Sequence, residues 1–234
     1  MNPAFSAFQW HGGLLADHST DPFPTRLYAL VGQQTFTTQE GSTYFIYQFE
    51  GSSTIHGDAV HHLPKGYFAS VVNGYTITGD SYAKTIIIER INFHGVFLLG
   101  GPIEAQGRLK YIDGCTDSLL IPPVKYGDAC LNHLHFPPGI FQTMHTHPSI
   151  RVGIVIRGDG ECVTPYGKIP LVPGTIFIIH TEGAHCFKTD TSTMDVIAYH
   201  PDSDFGPKDE EHPMINRTIV DGVSAKHIDA IRTQ

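Results

Sequence analysis

Two stretches of this 234-residue chain read alike at a fixed spacing. Glu50 to Gly66 (EGSSTIHGDAVHHLPKG) matches Arg157 to Gly174 (RGDGECVTPYGKIPLVPG) with one residue of slack, and further on RINFHGVFLLGGPIEAQGRLKYIDGCT matches VIAYHPDSDFGPKDEEHPMINRTIVDGVS. The offsets agree: 108 from Gly66 to Gly174, 106 from His94 to His200 and 108 from Asp113 to Asp221. A constant period of this length is one structural unit written twice. Within each copy, Gly and Pro punctuate short β-branched and aromatic runs, among them TYFIYQF, KTIIIERI, RVGIVI and MDVIAY. Such runs between turn signals describe an all-β sandwich or barrel. The expected architecture is therefore all-β, with one unit over 1–108 and another over 109–234. A short C-terminal helix is expected where Ser224 can cap AKHIDAIRT.

The second copy carries a pattern that the first lacks. It reads Gly139, five residues, His145-x-His147, three residues, Arg151, six residues, Gly158; Gly174 follows, and His185 stands eleven residues beyond it. Two histidines two apart on a strand leave the same face, so they can hold one ion between them. This frame closely resembles the first motif of the cupin family, G(x)5HxH(x)3,4E(x)6G, and the stretch from Gly174 to His185 looks like the second. Arg151 stands where the family usually has a glutamate ligand, His180 where it has proline and Glu182 where it has glycine.

The resemblance implies two tandem jelly-roll barrels, a bicupin. It also implies one divalent metal held by His145, His147 and His185, with Fe(II) the first choice and Mn, Ni, Cu or Zn as alternatives. Carrying the motif back by the repeat offset places the ligand positions near Thr38, Glu40, Tyr44 and Ile77, none of them histidine. The first barrel is thus expected to be degenerate and metal-free, and to serve packing, dimerisation or closure of the second pocket.

Three imidazoles leave a divalent ion its full charge, so a bidentate anionic substrate can supply the negative charge that the missing carboxylate does not. The resemblance extends to three-histidine dioxygenases, which suggests a mononuclear non-haem Fe(II) oxygenase acting on a small carboxylate-bearing molecule. A Zn- or Mn-dependent isomerase or lyase, with Glu182 or His180 as base, and a non-catalytic binding cupin are the alternatives. Arg151 either anchors the substrate carboxylate by a two-pronged contact or pairs with a protein acid, Glu182 being the nearest in view. Gln142 and His180 flank the motifs and could reach substrate, as could His135, which shares a face with His133. His180 or Glu182 could also serve as a fourth ligand.

A formal net charge of −8 without any Lys/Arg run excludes an electrostatic footprint for nucleic acid or an anionic membrane. Neither a secretion signal nor an 18-residue apolar stretch can be read, and the cytoplasm is the expected location. Cys115, Cys130, Cys162 and Cys186 lack CxxC spacing and are expected as buried thiols. His61 and His62 are expected to face solvent in a turn. The Pro- and Gly-rich segment after each unit's last strand is either a lid or a crossover packing one barrel on the other.

Overall fold

The structure is a computed structural model, which describes residues 2–233. It consists of two jelly-roll barrels in tandem, each a large sheet faced by a small one. The larger sheet of the first has six strands in the spatial order Leu98–Gly100, Phe68–Val71, Ser42–Glu50, Lys84–Ile91, Thr25–Val31, Gly13–His18. Its counterpart has seven: Phe5–Phe8, Ile176–Ile179, Arg151–Gly158, Met194–His200, Cys130–Phe136, Thr116–Ile121, Leu109–Lys110. The smaller sheets are Thr35–Thr37, Thr76–Gly79, Ser52–His56, Val60–Pro64 in one half, and Gly167–Leu171, Gly160–Thr164, Cys186–Lys188 in the other. The strand order of one half thus recurs in the other, as the sequence repeat requires.

The long apolar runs follow from burial on both faces. In Ser42–Glu50, Tyr44 and Ile46 point into the first barrel, while Phe45 and Tyr47 join a separate core between the two large sheets. Lys84–Ile91 divides in the same way, Ile87 inward and Ile86 with Ile88 outward. Val152, Ile154, Ile176 and Ile178 supply the other side of that shared core. A strand covered on both faces needs apolar residues at successive positions, and each fully buried Ile contributes about 1.5 to 3 kcal/mol. The interior of the second barrel is built from Phe136, Val155, Phe177, Ile179, Phe187 and Val196 among others.

Four features differ from what the sequence suggests. Phe5–Phe8 pairs antiparallel with Ile176–Ile179, so the first strand of the expected 1–108 unit is built into the other half's sheet. The helix expected over AKHIDAIRT is two isolated 3-10 turns, Ala225–His227 and Asp229–Ile231, although Ser224 Oγ does accept from Lys226 N at 3.3 Å. Of that stretch only Ala225 is buried, and nine residues without an apolar face to pack are too few to hold an α-helix. The α-helix is Pro213–Arg217, with proline in its first turn and His212 Nδ1 accepting from Met214 N. His61 and His62 lie on the strand Val60–Pro64 rather than in a turn; His62 is exposed, and His61 packs on Phe97 with ring centroids 4.8 Å apart.

The crossover reading of the two linking segments has direct contacts. Leu109–Lys110 adds to the seven-stranded sheet beside Thr116 and Asp117, and Arg157 Nη2 donates to Glu104 O at 2.5 Å. After the second barrel's last strand, Pro201 O accepts from Arg90 Nε at 3.4 Å. All four cysteines are buried free thiols.

Candidate metal centre

Gly158 shows why the motif needs its glycines. Its φ is +65°, and a Cβ there would meet Thr193 O at 1.8 Å, so no other residue fits the turn leaving Arg151–Gly158. At the motif's other end Gly139, φ +76°, begins an irregular segment rather than the regular strand expected for His145-x-His147. That segment is tied down at intervals: Gln142 N donates to Phe187 O, Thr143 N to Asp113 Oδ2 at 2.7 Å, and His145 exchanges both backbone hydrogen bonds with His185 at 3.0 Å.

These ties bring the three imidazoles together. Ring centroids are 5.1 Å apart for His145 and His147, 4.6 Å for His145 and His185 and 5.2 Å for His147 and His185. One nitrogen from each lies within 4.8 Å of the other two, and among the described residues this is the one group of three or more His, Cys, Asp or Glu side chains so placed. Two tautomers are set by the backbone. His145 Nδ1 lies 2.8 Å from Thr143 O and His185 Nδ1 lies 2.8 Å from Gly183 O. A carbonyl can only accept, so each Nδ1 carries the proton and each neutral ring keeps its Nε2 lone pair free. Burial, reinforced by Arg151 and the neighbouring imidazoles, pushes His147 down to about 3. Burial likewise takes His185 down to about 4, against the opposing Gly183 hydrogen bond. Imidazoles held neutral with free lone pairs fit a borderline divalent metal.

The cavity beside them is small, about 30 Å³, with an apolar wall of Leu134, Phe136, Val152, Phe177 and Val196. Room on that scale admits one or two waters. Gln142 lines it and is held by its own bonds, Oε1 accepting from Phe187 N at 3.2 Å and Nε2 donating to Cys115 Sγ at 3.7 Å. Arg151 also lines it, but its acid partner is Asp202, not Glu182: Nη1 lies 2.9 Å from Asp202 Oδ1 and 3.0 Å from Ile150 O, and Ser149 Oγ bridges the pair. Arg151 Nε is buried and has no partner among the described residues.

The remaining sequence candidates lie elsewhere. Glu182 is exposed, with φ +55°, and accepts from Thr146 Oγ1 at 3.0 Å; it does not line the cavity. His180 turns to the opposite side, where Nε2 meets Ser6 Oγ at 2.8 Å beneath the first strand. His135 and His133 do share a face, but it is the outer one, and both bind Asp195 Oδ1, at 2.9 and 2.7 Å. Neither His180 nor Glu182 therefore stands as a fourth ligand. Sequence reasoning missed two residues. Asp202 is one. The other is His200, which lines the cavity with its ring centroid 6.3 Å from that of His147, and which burial and Arg151 push well below the usual histidine range. Its place at the end of the last barrel strand, one step past the Val152–Tyr199 pair and opposite Arg151, is the signal that could have found it.

Strand register identifies the matching positions in the other half. Phe36 pairs with Ile77 as His145 pairs with His185, which puts Thr38 at the place of His147. Tyr44, beside Val71 and Glu89, stands where Arg151 stands beside Ile179. Tyr44 and Ile77 agree with the sequence offset; Phe36 and Thr38 replace the expected Thr38 and Glu40, because the loop before the strand is two residues longer in the first half.

No protein-family model and no curated protein sequence matches this chain. Solved structures do. A cupin 2 conserved barrel domain protein from Leptotrichia buccalis superposes with a TM-score of 0.62 at 14% identity, covering 85% of this chain and 89% of that one. Salicylate 1,2-dioxygenase from Pseudaminobacter salicylatoxidans gives 0.58 at 12% identity over 76% and 70% of the two chains. AerE from Microcystis aeruginosa gives 0.56 at 11%, over 85% and 93%. The fold is that of the cupins.

Proposed function

We propose that this chain is a bicupin enzyme in which His145, His147 and His185 hold one divalent ion, Fe(II) first among the candidates, for the oxygenation of a small carboxylate-bearing molecule. The observation that carries this reading is the pair of Nδ1–H to carbonyl hydrogen bonds, which set two imidazoles with Nε2 available toward the third. Similarity of fold to a salicylate 1,2-dioxygenase supports oxygen chemistry at such a site. The ion would supply Lewis acidity and a site for oxygen. The chain's own residues supply the rest: Arg151, balanced by Asp202, leaves the ion's charge to attract an anion, and the apolar wall excludes water. A cavity of about 30 Å³ holds only the chelating end of the substrate and leaves its bulk outside. A Lewis-acid isomerase or lyase is less well supported, since its candidate bases Glu182 and His180 both stand outside the cavity.

Anaerobic loading with Fe(II), followed by oxygen uptake with a panel of short aliphatic and aromatic carboxylates, tests the reading. Uptake that needs both iron and substrate is expected. Turnover that persists without oxygen would overturn it.

A further inference from the structure

A cleft beside the inter-barrel core lies away from the metal centre. It has a volume of about 370 Å³ and is lined by Phe68, Pro102, Leu109 and Leu120, with Ser118 and His133 as polar neighbours and Glu104 and Arg108 at its rim. This volume is within the range of small-molecule sites. His133, wholly buried, forms part of the floor. Its Nε2 lies 2.7 Å from Asp195 Oδ1, while its Nδ1 is buried with no partner among the described residues. Asp195 is fully engaged: Oδ1 also meets His135 Nδ1, and Oδ2 accepts from Arg157 Nε at 3.1 Å. An ionised carboxylate can only accept, so His133 presents the Nε2–H to it, and in the neutral ring Nδ1 keeps a lone pair. A buried acceptor without a donor is costly, and His133 is the buried polar side chain that lines this cleft.

We infer that this cleft is a second small-molecule site, taking a neutral amphiphile that donates a hydroxyl or N–H hydrogen to His133 Nδ1. The charges around it do not ask for an ion: Arg108 Nε lies 2.8 Å from Glu104 Oε2, and Arg157 is taken up by Asp195 and Glu104 O. The apolar surface of Phe68, Pro102 and Leu120 suits the ligand's hydrocarbon part. The exposed Arg108 side chain, paired with Glu104, stands at the rim.

Phenol and anisole make the test, because they share a ring and only phenol has the donor. In ¹⁵N-histidine-labelled full-length protein, phenol should shift the His133 Nδ1 resonance saturably. Anisole should bind about threefold to tenfold more weakly, the worth of one neutral hydrogen bond, and leave that resonance in place. Leu120→Trp, which fills the cleft, should abolish the phenol response. His133→Gln, whose amide can still donate to Asp195, should weaken phenol by a similar threefold to tenfold. His147→Ala, which empties the metal centre, should leave the phenol response at His133 in place. A response lost in His147→Ala but kept in Leu120→Trp would place phenol at the metal centre and overturn the inference. Equal binding of phenol and anisole, or no shift at His133, would overturn it equally. The wild-type comparison stands even if a variant does not fold.

Discussion

The two barrels put different residues at corresponding places on the same scaffold. In the first, Phe36 packs edge-on to Tyr28 and Tyr44, with centroids 5.0 and 5.5 Å away, and the space that the other half leaves open is filled. Glu89 closes it, accepting from Ser42 Oγ at 2.9 Å, Tyr44 OH at 3.0 Å and Tyr28 OH at 3.1 Å. In the second, imidazoles replace Phe36, Thr38 and Ile77, Arg151 replaces Tyr44, and His200 stands near where Glu89 would be. One half thus satisfies its buried polar groups internally. The other leaves Nε2 lone pairs facing a cavity, an arrangement that costs stability unless something binds there.

Copying the first half into the second should produce the largest effect. His185→Ile, which reproduces Ile77, removes one of three ligands and should lower metal affinity by about a thousandfold or more, on the order of 4 kcal/mol, as read by competition titration with a chelating dye. Next comes the first half's own network. Glu89→Ala leaves the buried Ser42 and Tyr44 hydroxyls and the half-buried Tyr28 hydroxyl without their acceptor and should lower unfolding free energy by about 3 kcal/mol in urea, with metal affinity unchanged. If metal binding fell too, the two pockets would be coupled and the comparison would fail.

Arg151→Lys is a smaller perturbation. An ammonium can keep Asp202 but cannot also reach Ile150 O in the same plane, so stability should drop by about 1.5 to 3 kcal/mol with metal retained. A drop in substrate affinity without loss of stability would instead return Arg151 to the anchoring role. Acid should expose the difference between the halves gradually. Below the ordinary histidine value of 6.5 the unfolded chain takes up protons on His147 and His185, whereas the folded chain refuses them until about 3 and about 4. Metal-free stability should therefore be full above pH 6.5 and fall as pH drops through that window, by up to about 1.4 kcal/mol per pH unit for each histidine. His185→Ile should flatten part of that slope in thermal melts.

Much of this was legible in the sequence because it is local. The repeat, the apolar runs and the motif glycines all act through neighbours, and the three histidines sit at spacings that the fold converts directly into proximity. What was not legible is side-chain direction and long-range pairing. His133 and His135 have the right period for one face, but period alone does not say which face is outer. His180 lies only five residues before His185, yet its place at the end of Ile176–Ile179 turns it toward Ser6. Asp202 is 51 residues from Arg151, and nothing in the local pattern favours it over Glu182. The crossing of Phe5–Phe8 into the far sheet is equally non-local.

The central claim is that one half of the molecule binds metal and the other does not, and counting metal tests it most directly. Untagged protein, loaded anaerobically with Fe(II) or with Zn(II) and freed of excess, should hold one ion per chain by mass spectrometry of the intact protein and by elemental analysis. His147→Ala should hold none, and Phe36→Ala should still hold one. Two ions per chain, or an ion retained in His147→Ala, would contradict the account.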